Sequence, residues 1–283
     1  MPFNLPGTLV PFYALFNPRL LLPAVSVADI RQLDFAALRR AGYRGAVFDK
    51  DNCLTIPHND DLVPELQDAW QECRQTFGKD NVLIVSNSAG THLDPGGLQA
   101  ESVSYNLGVP VLFHKTMKPS YGCARSTLSY FASLPRPLSP HELVIIGDRI
   151  FTDVVLSKRI GQPTSIWQRI ASRIRLSKSG PPPPLPAAED EKALVKVGGE
   201  PLAVWTTGVW KREGMAMRWG ETKLVQAMES WMPDAAERRS FLETQFVKPP
   251  VEVKEEELPK TRLRRVLGAV GWTVGKLRAL RRS

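Results

Sequence analysis

Short apolar runs, each followed by polar residues and then by a helical pattern, recur along the chain. The runs predict strands at 46–48, 82–85, 109–113, 143–146 and 202–210. Apolar residues at helical spacing predict helices over 62–78, 120–133, 152–160 and 215–232. Because strands alternate with helices, we expect an α/β fold in which helices flank a parallel sheet.

The helix predicted at 215–232 is amphipathic, and one side of it is apolar. That side carries Met217, Leu224, Val225, Met228 and Trp231. The simplest interpretation is that the methionines and tryptophans of 205–232 pack in the core.

Three segments depart from the alternation and set the predicted domain boundaries. Residues 1–40 hold an apolar stretch interrupted by prolines, which predicts an N-terminal arm before a main domain at 41–232. Within that domain the Pro-rich stretch 172–200 favours a disordered insertion. Residues 233–283 are expected to form a linker and a basic amphipathic helix.

Charge and cysteine content narrow the possible classes of protein. The net charge is +8, and 260–283 alone holds eight lysines and arginines and no acid, so the rest sums to about zero (8 − 8). Three cysteines without a Cys-x-x-Cys pair favour reduced thiols over a disulfide or zinc framework. No apolar run reaches the roughly 18 residues that predict a membrane-spanning helix.

Polar side chains cluster where the predicted strands end. These are Asp49, Asp51, Ser86, Asn87, Lys118, Asp148 and Asp153, with Lys118 placed just before a helix. Ligands of parallel sheets bind at the carboxyl ends of the strands, so we expect these side chains to meet. Two loop acids alone can equally be solvated surface residues. Carboxylates, hydroxyl and ammonium together suit phosphoryl transfer.

These clusters resemble the four motifs of the haloacid-dehalogenase (HAD) superfamily. Residues 48–52 match its first motif, 85–87 the second, Lys118 the third and 147–153 the fourth. The resemblance covers roughly 44–162 together with the strand predicted at 202–210, and it implies a Rossmann-like parallel sheet.

The resemblance also implies a phosphatase with Mg²⁺ as its cofactor. Asp49 is the implied nucleophile and forms a phospho-aspartate, while Asp51 is the implied general acid and base. The implied ligands of Mg²⁺ are Asp49, the backbone carbonyl of Asp51, and Asp148.

The remaining motif residues have implied roles around the phosphate. Lys118, Ser86 and Asn87 are expected to bind the phosphate oxygens. Asp153 is expected to orient Lys118 or a metal-bound water rather than to bind the metal directly. For Arg149 two roles stay open, contact with the substrate or pairing with a neighbouring acid.

The chain resembles one family within that superfamily more closely. About 12 residues separate Asp51 from Val63, and 86–118 is also short, so no large cap domain is expected. The similar segments are 20–23, 27–30, 42–55, 86–90 and 147–153. They resemble the fungal mitochondrial phosphatidylglycerophosphatases of the capless type IIIA branch. This implies hydrolysis of phosphatidylglycerophosphate for cardiolipin synthesis, at the matrix face of the mitochondrial inner membrane.

Partners follow from the two terminal segments. The apolar arm and the basic tail both favour peripheral contact with an anionic membrane, which also supplies the phospholipid substrate. Alternatively, the arm packs on the sheet or in a homo-oligomer, and the tail is disordered or touches RNA.

Two rival functions remain. One is a soluble phosphatase acting on nucleotides or nucleic-acid ends. No aromatic-interleaved basic patch lies near the motif loops, so no nucleic-acid partner is expected. The other is a non-catalytic scaffold, against which the filled motif positions argue.

Overall fold

The computed structural model describes Val10, residues 17–162 and residues 199–249. The elements in chain order are β1 (Val25–Val27), α1 (Phe35–Arg40), β2 (Gly45–Phe48), α2 (Gln67–Phe77), β3 (Val82–Ile84), α3 (Leu98–Leu107), α4 (Tyr121–Ser133), β4 (Leu143–Gly147), α5 (Val155–Gly161), β5 (Leu202–Thr206), α6 (Met215–Trp231) and α7 (Pro233–Phe246). Short 3-10 turns lie at Pro18–Leu21, Ile30–Gln32, Pro64–Leu66, Lys79–Asn81, Pro95–Gly97 and Pro140–Glu142, and a π-helical turn, Ile150–Val154, precedes α5. Nearly all of the predicted insertion, most of the N-terminal arm before residue 17 and the basic tail 260–283 lie outside the described residues.

The five strands form one parallel sheet in the order β1-β5-β4-β2-β3. In its centre Val47 of β2 pairs with Ile145 of β4, which pairs in turn with Ala203 of β5. This confirms the predicted α/β class with a parallel sheet flanked by helices. Since all strands run in one direction, their carboxyl ends share one edge of the sheet.

Both faces of the sheet are buried, which explains why the strands have apolar rather than alternating sequences. On one face Ala46 and Phe48 pack with residues of α1, α2, α3 and α7. On the other face Val47 and Ile145 pack with residues of α4 and α5. A third cluster joins β5 to α6 through Trp205 and Val225.

The strand predicted at 109–113 is wrong as a full strand. Only Val111 bridges to the sheet, opposite Ile84. The Ile84 amide donates to the carbonyl of Pro110 at 3.0 Å, and the Leu112 amide donates to Ile84 at 2.9 Å. Proline has no amide hydrogen, so Pro110 cannot donate the next bond of the ladder. The prediction at 202–210 was also too long, because β5 ends at Thr206.

The predicted N-terminal arm and C-terminal linker both contribute residues to the main fold. The described residues up to Lys248 group into one compact unit. β1 pairs with β5, so 17–40 contributes a strand to the sheet rather than only an arm. α7 is not part of a linker, because Leu242 and Phe246 are buried in the main core.

The prediction that the methionines and tryptophans of 205–232 all pack in the core is wrong for several of them. Trp205 and Val225 are buried, and Leu224 and Met228 are partly buried against them. The exposed ones are Met215, Met217, Trp219 and Trp231. Helical periodicity identified an apolar side but not how much of it the neighbouring elements cover.

Within the described residues, neither the segment between the first and second motifs nor the segment between the second and third forms a separate domain. The first segment folds back on itself through bridges of Thr55 with Asp51 and Leu62. The second contains α3, whose Ala100, Val103 and Leu107 pack in the main core. None of the helices described is long and apolar enough to cross a bilayer.

Asp94 organises the turn that leads into α3. Its carboxylate accepts the backbone amides of Gly90 at 3.0 Å, Gln99 at 3.0 Å and Ala100 at 2.9 Å. Burial raises the pKa of this carboxyl, but the three amide bonds outweigh burial and lower the pKa. The carboxylate therefore caps the first turn of α3 in its ionised form.

Replacing Asp94 by alanine should lower the free energy of unfolding by about 1–2 kcal/mol, because the cap is lost. Since folding lowers this pKa, the contribution is present above the unfolded value of about 4 and fades as pH falls through the folded pKa. Chemical denaturation at neutral pH and at pH 3 measures both effects. Glu101→Ala, an exposed position on the same helix, is the control, and equal midpoints for the two variants would contradict the cap.

Candidate active site

Asp49 lies immediately after β2, at the carboxyl edge of the sheet. Its backbone amide donates to Ile146 of β4 at 2.9 Å, which continues the ladder by one residue. The side chain points to Lys118, whose Nζ lies 2.5 Å from Asp49 Oδ1. The sheet therefore fixes the backbone of Asp49 while a loop lysine fixes its carboxylate.

Lys118 bridges two acids in the interior. Its Nζ also donates to Asp153 Oδ1 at 2.7 Å, and the residue is almost fully buried. Burial by itself lowers the pKa of a lysine, but the carboxylates of Asp153 and Asp49 outweigh it and raise the pKa. Lys118 thus stays protonated and supplies a fixed positive charge to the site.

Three carboxylates form a compact cluster that can hold a metal ion. Asp49, Asp148 and Asp153 each offer an oxygen, and these oxygens all lie within 4.8 Å of one another. Burial, and then the neighbouring acids, raise the pKa values of Asp49 and Asp148. Asp148 Oδ1 is buried without a hydrogen-bond partner. Hard oxygen donors, excess negative charge and an unpartnered buried oxygen fit a divalent cation such as Mg²⁺.

Asp51 and Asp148, the two acids predicted beside Asp49 at the metal site, occupy different places. Asp148 joins the cluster, while the third carboxylate there is Asp153 and not Asp51. Asp51 is partly exposed, and its carboxylate lies 2.9 Å from the buried ammonium of Lys50. Lys50 also donates to the backbone oxygen of Asn59 at 2.8 Å, which holds the loop after β2 in its fold.

The loop after β3 joins the Asp51 side to the Lys118 side. The Ser88 amide donates to Ser86 Oγ at 3.1 Å, and the Ser88 hydroxyl donates to Asp51 Oδ2 at 3.4 Å. Asn87 Oδ1 accepts the backbone amide of Lys118 at 2.7 Å. Asn87 thus positions Lys118. Its phosphate contact and that of Ser86 stay predictions.

His114 is a buried residue of the site that the sequence did not single out. Its Nδ1 lies 2.7 Å from the carbonyl oxygen of Thr116, and its Nε2 lies 2.9 Å from that of Ser86. Burial lowers the pKa of His114, which favours the neutral ring. A neutral ring has one N–H, so it donates to one of these two carbonyls and lies between the loop after β3 and the segment that carries Lys118. His114 directly follows the strand predicted at 109–113, so its position at a strand end is the signal that could have identified it.

Two pairs link α6 to the loop after β4. Arg218 forms an ion pair with the Asp148 carboxylate and donates to the Asp148 carbonyl at 3.4 Å. Arg149 donates to buried Glu221 at 3.3 Å. Of the two roles left open for Arg149, the structure provides the pairing with an acid. Sequence reasoning missed Arg218 and Glu221, because both lie in a helix interior some 70 residues from their partners.

Gly147, the last residue of β4, makes room for Asp153. A Cβ at this position would lie 2.3 Å from Asp153 Cγ, which no side chain tolerates. Asp153 is further held by the Arg149 amide at 3.2 Å and by the Thr152 hydroxyl at 3.1 Å. The glycine of the fourth motif therefore has a steric purpose, which is to let the acid approach Lys118.

The chain matches the family model described as mitochondrial PGP phosphatase over residues 5–171. It is 34% identical over 166 residues to the mitochondrial phosphatidylglycerophosphatase of Saccharomyces cerevisiae, covering 59% of this chain and 87% of that protein. It is 42% identical over 156 residues to the chloroplastic phosphatidylglycerophosphate phosphatase of Chlamydomonas reinhardtii, covering 54% of this chain and 55% of that protein. A chloroplastic and mitochondrial relative from Arabidopsis thaliana is 38% identical over 151 residues, covering 53% and 41%. No solved structure matches the chain.

Replacing Gly147 by alanine should reduce turnover by about 100-fold, because displacing a positioned group by about 1 Å costs that much. The added methyl pushes Asp153 away from Lys118, while the sheet can remain folded. Turnover of an aryl phosphate, with circular dichroism as a check on folding, measures this. The control is Gly220→Ala, where a Cβ would meet nothing within 4 Å. Full activity in Gly147→Ala would show that the close approach of Asp153 is dispensable.

Proposed function

The chain belongs to the mitochondrial PGP phosphatase family, and we propose that it removes the terminal phosphate of phosphatidylglycerophosphate by forming a phospho-aspartate on Asp49. The observation that carries the mechanism is the Lys118 bridge, 2.5 Å from Asp49 and 2.7 Å from Asp153. It keeps a positive charge beside the carboxylate at which an anionic phosphate must arrive.

The proposed first step transfers the phosphoryl group to the protein. An Oδ atom of Asp49 forms a bond to phosphorus while the bond from phosphorus to the glycerol oxygen breaks. The glycerol oxygen leaves with a proton donated by Asp51, which lies on the same loop. In the second step water attacks the phospho-aspartate, Asp51 takes the proton of that water, and inorganic phosphate is released.

Positive charge makes attack by a carboxylate on a phosphate possible. Lys118 supplies one charge from within the protein, and its protonated state is maintained by its two acidic neighbours. We propose that Asp49, Asp148 and the Asp51 carbonyl hold Mg²⁺, with Asp153 positioning Lys118. When bound, Mg²⁺ offsets the negative charge of the phosphate and of the surrounding carboxylates. The unpartnered Asp148 Oδ1 supports this ligand set.

The phosphate oxygens are proposed to lie between the loop after β3 and Lys118. Ser86, Asn87 and the neighbouring amides are proposed to line this region. The Ser88 amide donates to Ser86 Oγ and the Ser88 hydroxyl donates to Asp51, which connects this region to the proposed general acid. We propose that the chemistry is of the HAD type, without a large cap. A substrate whose bulk stays outside the site, such as a phospholipid, suits such an open arrangement.

The relatives support the proposed substrate class and a mitochondrial location. Proteins at 34% to 42% identity are named for this lipid phosphatase activity and for mitochondria or chloroplasts. We propose the same reaction here, at the matrix face of the mitochondrial inner membrane, with the anionic phospholipid and the membrane surface as partners. Nucleic acid is not proposed as a substrate.

Replacing Asp49 by asparagine should lower turnover of phosphatidylglycerophosphate in mixed micelles by about 1000-fold or more, because the amide is not a nucleophile. The exposed helix position Asp68→Asn is the matched control and should retain activity. Inorganic phosphate release is measured with this lipid and with a 5′-phosphorylated oligonucleotide. Turnover of the oligonucleotide without turnover of the lipid would refute the lipid assignment.

Removal of divalent metal by a chelator should abolish turnover, and Mg²⁺ should restore it. Binding should also stabilise the fold by about 2.7 kcal/mol at a concentration 100 times the Kd. The thermal midpoint with and without Mg²⁺ measures this independently of activity. Asp148→Asn should reduce the shift, whereas Asp68→Asn should keep it. Undiminished turnover in chelator would contradict the metal site.

A further inference from the structure

Three large apolar side chains are exposed within five residues at the start of α6. Met215 is 46% exposed, Met217 51% and Trp219 66%. Met215 and Trp219 lie one helical turn apart on the same side of α6, whereas Met217 lies on the side that meets Arg149. Leaving such side chains in water is unfavourable, and exposed apolar patches mark interaction surfaces. We call residues 211–219 the rim segment.

The rim segment lies against the candidate active site on two sides. The Lys211 amide donates to Asn52 Oδ1 at 3.0 Å, next to the loop of Asp49 and Asp51. Arg218 pairs with Asp148, and Arg149 contacts the sulfur of Met217. Whatever covers the apolar side chains of this segment therefore lies beside the reacting groups.

The rim segment carries positive charge as well as apolar side chains. Lys211 and Arg212 are exposed, and against the one negative charge of Glu213, which pairs with Lys211 at 2.9 Å, they leave a net charge of +1 (2 − 1). Arg218 pairs with Asp148 and does not add to this charge. Apolar and aromatic side chains flanked by cations are the chemistry that anionic bilayers bind. Tryptophan in particular favours the headgroup region, where its ring is buried and its N–H stays hydrated.

We propose that the rim segment seats the active site on the surface of an anionic phospholipid bilayer. Met215 and Trp219, which share one side of α6, insert between the lipids, while Lys211 and Arg212 meet lipid phosphates. This inference depends on the proposed function, because a phosphate carried by a membrane lipid stays at headgroup level. The groups around Asp49 can reach this phosphate only if the rim segment, which adjoins the site, also lies at the level of the lipid headgroups.

The rim segment lies beyond residue 171, where the family match ends. It is also separate from the predicted basic tail at 260–283. The tail can hold the chain near a membrane, but the contacts of Lys211 and Arg218 give the rim segment a fixed orientation relative to Asp49. The rim segment should therefore control productive orientation rather than total binding.

The test compares Met215→Ser/Trp219→Ser with Trp231→Ser in the full-length, Mg²⁺-loaded chain. Trp231 is 72% exposed on the same helix and lies about 18 Å further along its axis. Two substrates are used, phosphatidylglycerophosphate in phosphatidylglycerol-containing vesicles and its short-chain, water-soluble analogue. The double variant should lose about ten-fold in kcat/KM on vesicles, with unchanged turnover of the soluble analogue. Trp231→Ser should match the wild type on both.

An unchanged ratio of vesicle to soluble turnover in the double variant would overturn the proposal. So would a change of oligomeric state in sedimentation velocity with normal vesicle turnover, because the rim segment would then bind a second copy of the chain. Failure of the wild type on both lipid substrates would refute the proposed function itself. A selective loss on vesicles supports both.

Discussion

The carboxylates of Asp49, Asp148 and Asp153 offer oxygens within 4.8 Å of one another, and the site depends on offsetting their charge. Like charges this close in the interior are unfavourable unless cations accompany them. Lys118 serves two of the acids and Arg218 serves the third. A bound divalent cation would complete the balance and leave Asp49 ionised for attack.

Much of the surrounding structure fixes the positions of these charged side chains. β2 and β4 are paired in the centre of the sheet, so Asp49 and Asp148 leave it at the same edge. Gly147 lets Asp153 come close, Asn87 holds the backbone of Lys118, and His114 contacts the segment just before it. These neighbours act by geometry, since small displacements of a charged group weaken its interactions strongly.

α6 connects the charge cluster to the outside of the molecule. Its inward side supplies Arg218 and Glu221 to the loop after β4, and its first turns expose apolar side chains to solvent. One helix therefore both neutralises Asp148 and forms a wall of the site. The proposed contact with the membrane would in this way be joined to the position of the reacting groups.

The sequence alone determined the α/β class, the four strand-end clusters and their order, because apolar strands and the polar residues after them are local patterns. It also determined that Asp49, Lys118, Asp148 and Asp153 would meet, since parallel strands bring their carboxyl ends to one edge. Only the tertiary structure decided that β1 completes the sheet, that Val111 makes a single bridge, and that Arg218 reaches Asp148. Such contacts join distant segments, and the helical period that places Trp219 on a face does not say what covers it.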